Sequence, residues 1–325
     1  MAEERDIPRH DELSLWLVER GREPKTIAAL TGDVSPRRYL RVSLKEGSAI
    51  LAFYPPTLNV AFTSFLKSTR LLHEAGVRVP EILDSDEGAG LMLLEDVGGE
   101  TLFDWRADSW PAIEPFIEAS RRAATSIALL SCDAAELPAP PLDGATLWRE
   151  LESTWRNFLR PTGLCGNKPL SGRLYKGLQD LCSQLDLEPM VPCHRDFMVR
   201  NLVPDVTLKE VIVLDHQDLR LGPPLYDLAS LANDSLFLDA EKTEDLFGRE
   251  LVSSLQYRRC AAQRALKIVG TFVSFAKRGQ PRYLPMVGEC LERSLGQLAG
   301  LPETEALVSD LRALWRPAID STAVW

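Results

Sequence analysis

The chain has 325 residues, of which 45% are hydrophobic and 26% charged, and its net charge is −10 at pH 7. This composition is that of a globular protein, and the length exceeds one ordinary hydrophobic core, so we expect two lobes. The acidic balance, with no stripe of Lys and Arg, argues against a nucleic-acid partner. The charged N-terminus lacks the apolar core of a secretory signal, and no run of about 18 apolar residues is long enough to span a membrane. We therefore expect a cytoplasmic protein without a membrane partner, and a monomer.

The first hundred residues alternate between strand-like and helix-like patterns. Leu13, Trp16 and Leu17 share one face of a short helix that Gly21 ends. Alternating and β-branched runs then predict strands at 26–30, 39–44, 49–54, 77–83 and 91–95, with a helix at 60–75 after the third strand. This order predicts an antiparallel sheet with one packed helix.

Helical spacing dominates after residue 110. It predicts helices at 111–131, 145–159, 169–187, 225–233, 240–256, 258–278, 282–299 and 303–314. Only two short strands, at 201–203 and 211–214, interrupt this part of the chain. The second lobe is therefore predicted to be α-rich.

The most informative segment runs from residue 194 to residue 215 and includes both of these strands. His194-Arg195-Asp196 is followed after five residues by Asn201, and Asp215 ends an apolar run fourteen residues later. Phosphoryl transfer from ATP needs a carboxylate at the acceptor hydroxyl and oxygen ligands for Mg²⁺. Asp196 is a candidate for the first role, and Asn201 and Asp215 are candidates for the second. The spacing of the three residues is far more specific than the His-Arg-Asp triplet alone.

The segment resembles the catalytic core of the aminoglycoside phosphotransferase-like kinases, relatives of the protein kinases. The resemblance covers roughly residues 25–235. The motifs HRDF…RN, DHQD and GPPLYDLASL, together with GDVSPRRYLRV and LMLLEDVGG, are most similar to bacterial anomeric sugar kinases, which phosphorylate the C1 hydroxyl of N-acetylglucosamine or N-acetylmuramate. The resemblance implies an α+β, bilobal protein-kinase-like fold, with residues 1–97 as the nucleotide-binding N-lobe and 98–325 as the catalytic C-lobe. It also implies ATP and Mg²⁺ as cofactors and a sugar as acceptor, with glucosamine as a further possibility.

The resemblance assigns roles to individual residues. Asp196 aligns the acceptor hydroxyl, Asn201 and Asp215 bind the metal, and Arg200 stabilises transferring charge, pairs with the sugar, or fixes the loop through an ion pair. Gln217 and Asp218 face the acceptor or order the loop, and Asp227 ties its segment back to the catalytic loop. The backbone of the hinge, at Leu94, Glu95, Asp96 and Val97, is expected to pair with the adenine edge.

The N-lobe departs from the kinase pattern. Typical kinases carry a Lys on the third strand that binds phosphates and pairs with a Glu of the next helix. Here residues 49–54 contain no basic residue, and residues 60–72 contain no Glu. The nearest cations are Arg37, Arg38 and Arg41, which we therefore expect to bind the phosphates. The preceding turn contains only Gly32 and not a full glycine-rich loop.

Two other readings remain open. A kinase for aminoglycosides or other amino alcohols would need a strongly acidic pocket for its cationic acceptor, and no dense acidic cluster follows Asp227. A non-catalytic binding module would explain the missing third-strand Lys. Intact Asp196, Asn201 and Asp215 favour an enzyme.

Overall fold

A computed structural model describes residues 8–30, 37–164, 167–187, 189–233, 236 and 238–320. The predicted turn around Gly32 lies outside these ranges. The N-terminal part contains helix α1 (His10–Glu19) and a five-stranded sheet, whose neighbouring strands all pair antiparallel in the order β1-β2-β3-β5-β4. The strands are β1 (Thr26–Ala29), β2 (Arg38–Ser43), β3 (Ser48–Phe53), β4 (Ile82–Asp86) and β5 (Leu91–Glu95), and helix α2 (Asn59–Glu74) joins β3 to β4.

The two faces of this sheet bury different partners, because side chains alternate along each strand. Leu40, Val42 and Leu51 pack with Leu13 and Leu17 of α1. The opposite face packs on α2 through Ala52, Tyr54, Met92 and Leu94, which contact Phe62 and Phe65. The same alternation decides which side chains of β2 and β3 face the cavity between the sheet and the C-terminal helices.

One predicted strand begins later than expected. The run 77–83 was predicted as a strand, but β4 starts at Ile82. Pro80 has no N–H to donate to a ladder, so pairing starts only beyond it. The residues before Pro80 instead join the two parts of the molecule: Val77 and Val79 belong to the large core of the C-terminal part, and the Val213 N–H donates to the Arg78 carbonyl at 2.8 Å.

The C-terminal part is α-rich, as predicted. Its helices are α3 (Trp110–Ala128), α4 (Gly144–Thr154), α5 (Lys168–Asp186), α6 (Tyr226–Asn233), α7 (Ala240–Phe247), α8 (Arg249–Ser253), α9 (Leu255–Lys277), α10 (Val287–Ala299) and α11 (Glu305–Asp320). A π-helical run, Trp155–Leu164, continues α4, and short 3₁₀ helices include His216–Asp218 and Pro281–Met286. The predicted α+β class, with an antiparallel sheet before an α-rich part, is therefore confirmed, whereas the lobe boundary after Val97 stays a prediction. Within the residues described, no helix combines the length and apolar character needed to cross a membrane.

Two predicted helices are interrupted. The run 240–256 is divided into α7 and α8 by Gly248, whose φ of 85° lies outside helical geometry, and it ends at Ser254, which caps α9. The run 282–299 becomes α-helical only at Val287, because the preceding turns contain Pro281 and Pro285 and adopt 3₁₀ geometry.

Four short strands lie around the segment that contains Asp196, Asn201 and Asp215. β7 (Leu202–Asp205) pairs with β8 (Glu210–Val213), close to the two strands predicted. β6 (Val191–Cys193) pairs with β9 (Arg220–Gly222), and this second ladder was not predicted. Each of its strands has three residues, too few for an alternating pattern to be recognised.

Helix α9 is the central element of the C-terminal part, and it approaches α4 closely at Gly270. The Gly270 N–H donates to Thr154 Oγ1 at 3.1 Å, and Ser153 Oγ donates to the Gly270 carbonyl at 3.1 Å. A Cβ atom added at Gly270 would lie 2.3 Å from the Thr154 backbone nitrogen. The absence of a side chain at this position therefore sets the spacing of α4 and α9, which both supply residues to the site.

We expect Gly270→Ala to destabilise the protein by about 1–3 kcal/mol, the usual range for overpacking a close-packed interior. Gly296→Ala in α10 is the matched control, because its added Cβ would meet nothing within 4 Å. That control is expected to be neutral or to stabilise by about 0.5–1 kcal/mol, since alanine favours a helix. Thermal or urea unfolding of the two variants provides the measurement. Equal stability of Gly270→Ala and the unsubstituted protein would contradict the close approach.

Candidate active site

Residues 194–201, which include Asp196 and Asn201, form a loop between β6 and β7 that is held by the start of α6. The Asp227 carboxylate accepts hydrogen bonds from the backbone N–H groups of His194, at 2.6 Å, and Arg195, at 3.0 Å. Burial raises the pKa of Asp227, against the opposing effects of His194 and these N–H donors. His194 Nε2–H donates to the Leu214 carbonyl at 2.9 Å, which ties the loop to the end of β8. The predicted brace by Asp227 is therefore confirmed, and Arg195 is held at a φ of 76°.

Asp196 lies within a cluster of cations. Its Oδ1 accepts from Arg264 Nη1 at 2.7 Å and from Lys267 Nζ at 2.9 Å, and its Oδ2 lies 3.4 Å from Arg195 Nη1. Burial opposes ionisation of this carboxyl, but Lys267, Arg264 and Arg195 outweigh it and hold the pKa of Asp196 well below its usual value. Asp196 is thus kept as an anion.

A second carboxylate balances the cations. Glu150 of α4 accepts from Arg195 Nε at 2.7 Å and lies 3.4 Å from Lys267 Nζ. Burial raises the pKa of Glu150, yet Lys267 and Arg195 more than offset this, and the net shift is downward. Buried charges are tolerated only when they are paired. The loop, α4 and α9 are therefore joined through one ionic network.

Asn201 and Asp215 occupy the same cavity as Asp196. Asn201 Nδ2 donates to the Asp196 carbonyl at 2.9 Å, which leaves its Oδ1 as the atom able to bind a cation. The Leu214 N–H donates to the Asn201 carbonyl at 2.8 Å, so the residue that precedes Asp215 is held against Asn201. Asp215 adopts the left-handed conformation, at a φ of 58°, and its side chain is 41% exposed. The three residues selected by spacing are thereby brought together.

His216 connects this loop to α2 without any charge. Thr69 Oγ1 donates to the Phe65 carbonyl at 2.8 Å, so the hydroxyl is left to accept from His216 Nε2–H at 2.7 Å. The Phe65 ring packs against the imidazole with centroids 4.3 Å apart. Burial, reinforced by the nearby His194, lowers the pKa of His216 to about 3, so the ring is neutral. The link therefore joins α2 to the residues after β8 through a hydrogen bond between two neutral side chains.

Arg37 is the N-terminal cation that reaches Asp215. Its Nη2 donates to Asp215 Oδ1 at 2.8 Å, and its Nη1 donates to Gln217 Oε1 at 2.9 Å. The Arg37 side chain is only 12% exposed and also lies over the Tyr39 ring. The face of β3 that looks toward the cavity carries Ile50, so no cation of that strand competes with Arg37 there.

Arg38 and Arg41 have different positions. Arg38 is exposed and is not among the residues that line the cavity, because it points from the opposite face of β2 to Tyr39 and Arg41. The structure therefore does not bring Arg38 to the site, contrary to expectation. Arg41 lines the cavity but its Nε lies 2.8 Å from Asp96 Oδ2, so it is partly neutralised.

The predicted hinge follows β5 and is ordered by Asp96. Its carboxylate accepts from Ser48 Oγ at 2.7 Å and from the Gly98 N–H at 3.2 Å, in addition to its ion pair with Arg41. Burial would raise the pKa of Asp96, but these hydrogen bonds lower it overall. The cavity lining at the hinge comprises Leu94, Glu95, Val97, Gly98 and Gly99. Glu95 also pairs with Arg78.

Gln217 and Asp218 order the loop and do not line the cavity. Gln217 Nε2 donates to Asp215 Oδ1 at 3.0 Å, and Asp218 accepts from Arg195 Nη1 at 2.9 Å and from Arg220 Nη2 at 3.1 Å. Of the two roles expected for this pair, the geometry supports the ordering role. A contact with the acceptor is not supported, because Gln217 is bound to Arg37 and Asp215. Asp218 is bound to Arg195 and Arg220.

Arg200 lies against aromatic side chains on the helical side of the cavity. Its guanidinium carbon is 5.6 Å from the Phe103 ring centroid, 5.4 Å from Phe272 and 5.1 Å from Tyr283, within cation–π range. Phe272 and Tyr283 are stacked on each other with centroids 5.1 Å apart. Arg200, which is four residues from Asp196 in sequence, thus lies beside the stacked rings of Phe272 and Tyr283.

The cavity has a volume of about 820 Å³ and lies between the sheet and the C-terminal helices. Its sheet side is largely apolar, whereas its helical side combines charged groups with aromatic rings. The lining of the helical side comprises Arg195, Asp196, Met198, Arg200, Asn201, Arg264, Lys267, Ile268, Thr271, Phe272, Phe275 and Tyr283. The volume is in the range of small-molecule sites.

Arg264, Lys267 and Glu150 are site residues that were not predicted. The available signal was in α9, where Gln263, Arg264 and Lys267 interrupt an otherwise apolar run from Ala261 to Phe272. Charged residues are almost never buried without a partner. Such a pattern identifies buried charges, but it does not name their partners.

Comparisons with known proteins agree with this geometry. Residues 26–261 match the family described as "Phosphotransferase enzyme family". The chain is 32% identical, over 89% of its length and 89% of the relative, to an N-acetylmuramate/N-acetylglucosamine kinase of Pseudomonas aeruginosa. Among solved structures it is similar to the choline kinase LicA of Streptococcus pneumoniae, with a TM-score of 0.60, 13% identity and coverage of 89% of this chain and 96% of the other.

A second solved structure is an aminoglycoside phosphotransferase of Streptomyces rimosus in complex with ADP and streptomycin. Its TM-score is 0.53 at 17% identity, and the match covers 82% of this chain and 98% of that one. At such identities the two structures support the fold alone. The family match spans most of the chain and includes the loop around Asp196, so the chain belongs to the phosphotransferase enzyme family and is a kinase-like enzyme that transfers a phosphoryl group to an alcohol.

Proposed function

We propose that this enzyme transfers the γ-phosphoryl group of ATP to the C1 hydroxyl of an N-acetylated hexosamine, with N-acetylglucosamine as first choice and N-acetylmuramate next. The observation that carries the proposal is the position of Asp196, ionised and cation-bound, in the wall of a cavity between sheet and helices. The relative from Pseudomonas aeruginosa is named for these two sugars and matches most of the chain. Use of ATP also agrees with the expected cytoplasmic location, and a monomer remains our expectation.

The nucleotide is proposed to bind on the sheet side. Ile50, Leu94 and Leu214 supply apolar surface for the adenine ring, and the backbone around Val97 would pair with its edge. The proposed lobe boundary after Val97 then coincides with the adenine site. Arg37, at Asp215, is the N-lobe cation placed to bind the phosphates.

Asn201 and Asp215 fit a Mg²⁺ ion. Both offer oxygen atoms to one cavity, and the bond from the Arg37 guanidinium to Asp215 supports this carboxylate as a partner for a cation. Mg²⁺ commonly takes one or two protein ligands and completes its shell with phosphates and water. Consistent with that, the described ranges contain no cluster of three or more His, Cys, Asp or Glu that could hold a metal by itself. When bound, the ion neutralises charge on the β- and γ-phosphates.

In the proposed step, Asp196 aligns the acceptor hydroxyl with the γ-phosphorus. The hydroxyl oxygen forms a bond to phosphorus while the bond to the β,γ-bridging oxygen breaks and ADP leaves. The hydroxyl proton passes to Asp196 late, since phosphoryl transfer is largely dissociative and the oxygen gains acidity only as the bond forms. A carboxylate with a low pKa is adequate, because orientation supplies much of the acceleration.

The helical side of the cavity offers little compensation to a cationic acceptor. Arg195, Arg200, Arg264 and Lys267 line it, and Asp196 is the carboxylate among them. A polycationic aminoglycoside would find there one carboxylate that is already paired with cations, so the charges of the acceptor would stay uncompensated, which costs affinity. A neutral N-acetyl sugar, or one that carries a carboxylate, meets no such penalty, and its ring can lie against Phe272 and Tyr283.

Asp196→Asn is expected to keep nucleotide affinity and to reduce turnover by roughly 10²–10⁴, the range for a positioned acid–base group. Asp215→Asn should weaken Mg²⁺-dependent ATP binding as well as the rate, because it removes a ligand. Calorimetric titration with a non-hydrolysable ATP analogue, next to steady-state kinetics, separates the two effects. Normal turnover of Asp196→Asn would remove the residue from the mechanism.

Arg37→Ala is expected to raise KM for ATP about tenfold or more, because a charge-assisted hydrogen bond contributes about 1.5–3 kcal/mol. Arg38→Ala is the matched control: the two arginines are adjacent, but only Arg37 faces the cavity. Kinetics with ATP as varied substrate test the pair, and Arg41→Ala should lie between them. If Arg37→Ala and Arg38→Ala behave alike, the phosphate contact assigned to Arg37 is wrong.

The product distinguishes C1 from the other hydroxyls. We expect loss of reducing-sugar reactivity and coupling of phosphorus to the C1 proton after incubation of N-acetylglucosamine with ATP and Mg²⁺. Parallel incubations with N-acetylmuramate, glucosamine and several aminoglycosides test the acceptor class. A product that still reduces would refute the anomeric position and leave the kinase assignment standing, whereas turnover of aminoglycosides alone would refute the sugar.

A further inference from the structure

The two oxygens of the Asp196 carboxylate have different surroundings. Oδ1 is bound by Arg264 at 2.7 Å and Lys267 at 2.9 Å, both at hydrogen-bonding distance. Within the part of the chain that the structure describes, Oδ2 is contacted by Arg195, at 3.4 Å, which is beyond a good charge-assisted hydrogen bond. Since Oδ1 already accepts two strong donors, Oδ2 is the atom that remains for an acceptor hydroxyl.

Helix α9 is the origin of this asymmetry. Arg264 and Lys267 are three residues apart on it and therefore project from one face. Arg264 is almost completely buried, with 1% of its side chain exposed, and it also donates to the Arg195 carbonyl at 3.2 Å. Lys267 lines the cavity and lies between Asp196 and Glu150.

We propose that Lys267 is a positioning residue for phosphoryl transfer: its ammonium group fixes Oδ1 of Asp196 so that Oδ2 receives the acceptor hydroxyl. The inference rests on the proposed function, in which Asp196 aligns the acceptor. Lys267 acts through the carboxylate, which differs from the task of the third-strand lysine of typical kinases, since that lysine binds the phosphates.

A structural explanation must be separated from this role. Lys267 also neutralises Glu150, so its removal leaves a buried carboxylate with less compensation and lowers stability whether or not Lys267 positions Asp196. The double variant Lys267→Met with Glu150→Gln removes one positive and one negative charge. It should recover the thermal stability lost in Lys267→Met, because the amide oxygen of the glutamine can still accept from Arg195 Nε, while the missing contact to Oδ1 is not replaced.

The experiment compares the unsubstituted full chain, Lys267→Met, the double variant, Lys267→Arg and Lys277→Met. Lys277 ends the same helix, is bound to Asn157 and lies outside the cavity, so its replacement controls for loss of a lysine from α9. For each protein we would measure Tm, nucleotide affinity, the rate of transfer to N-acetylglucosamine, and the slow hydrolysis of ATP without sugar, in which water is the attacking group.

We expect Lys267→Met to reduce kcat for transfer and for hydrolysis by about 10²-fold, the size of effect that follows a small misplacement of a reacting group, with nucleotide affinity retained. The double variant should regain Tm but not kcat, and Lys267→Arg should retain part of kcat. Recovery of kcat together with Tm in the double variant, or an unchanged kcat in Lys267→Met, would overturn the inference. An unsubstituted enzyme that hydrolyses ATP but leaves the sugar unmodified would refute only the proposed acceptor, because the hydrolysis rates still report on Lys267.

Discussion

The pairing of buried charges around Asp196 is the constraint on which the helical part of the molecule depends. A carboxylate in this position is costly without partners, and its partners come from the loop itself and from α9, while Glu150 of α4 balances them. The loop, α4 and α9 must therefore meet with little freedom. The close approach of α4 and α9 at Gly270 satisfies the same requirement from the packing side. The packing of α4 on α9 and the geometry of the site are consequently determined together.

Much of the fold was accessible from local patterns. The strand at Leu91–Glu95 coincides with its predicted limits, and the remaining sheet strands and most helices differ by a few residues. The spacing of Asp196, Asn201 and Asp215 was sufficient to suggest that they lie near one another. The β7–β8 hairpin connects Asn201 to Asp215 and returns the chain to the same cavity. Two helices were predicted with the wrong limits because of single residues. Gly248 and Pro285 break helical runs that hydrophobic spacing alone does not divide.

The remainder of the site depends on contacts that are distant in sequence. Arg264 and Lys267 follow Asp196 by 68 and 71 residues, and no local pattern pairs them with that carboxylate. The alternation of side chains is a second limit on prediction from sequence. Arg37 and Arg38 are neighbours, yet only Arg37 faces the cavity, because successive side chains in extended backbone point in opposite directions. Tertiary structure thus selects among the arginines that the sequence offered, and it adds Arg264 and Lys267, which the sequence did not identify.

The hydrogen bond between Thr69 and His216 has a consequence for how this enzyme responds to its surroundings. Exposed ion pairs weaken as dissolved salt screens them over a Debye length of about 8 Å at physiological ionic strength. A buried contact between a hydroxyl and a neutral imidazole carries no net charge to screen. The junction of α2 with the loop around Asp215 should accordingly stay closed across wide changes in ionic strength.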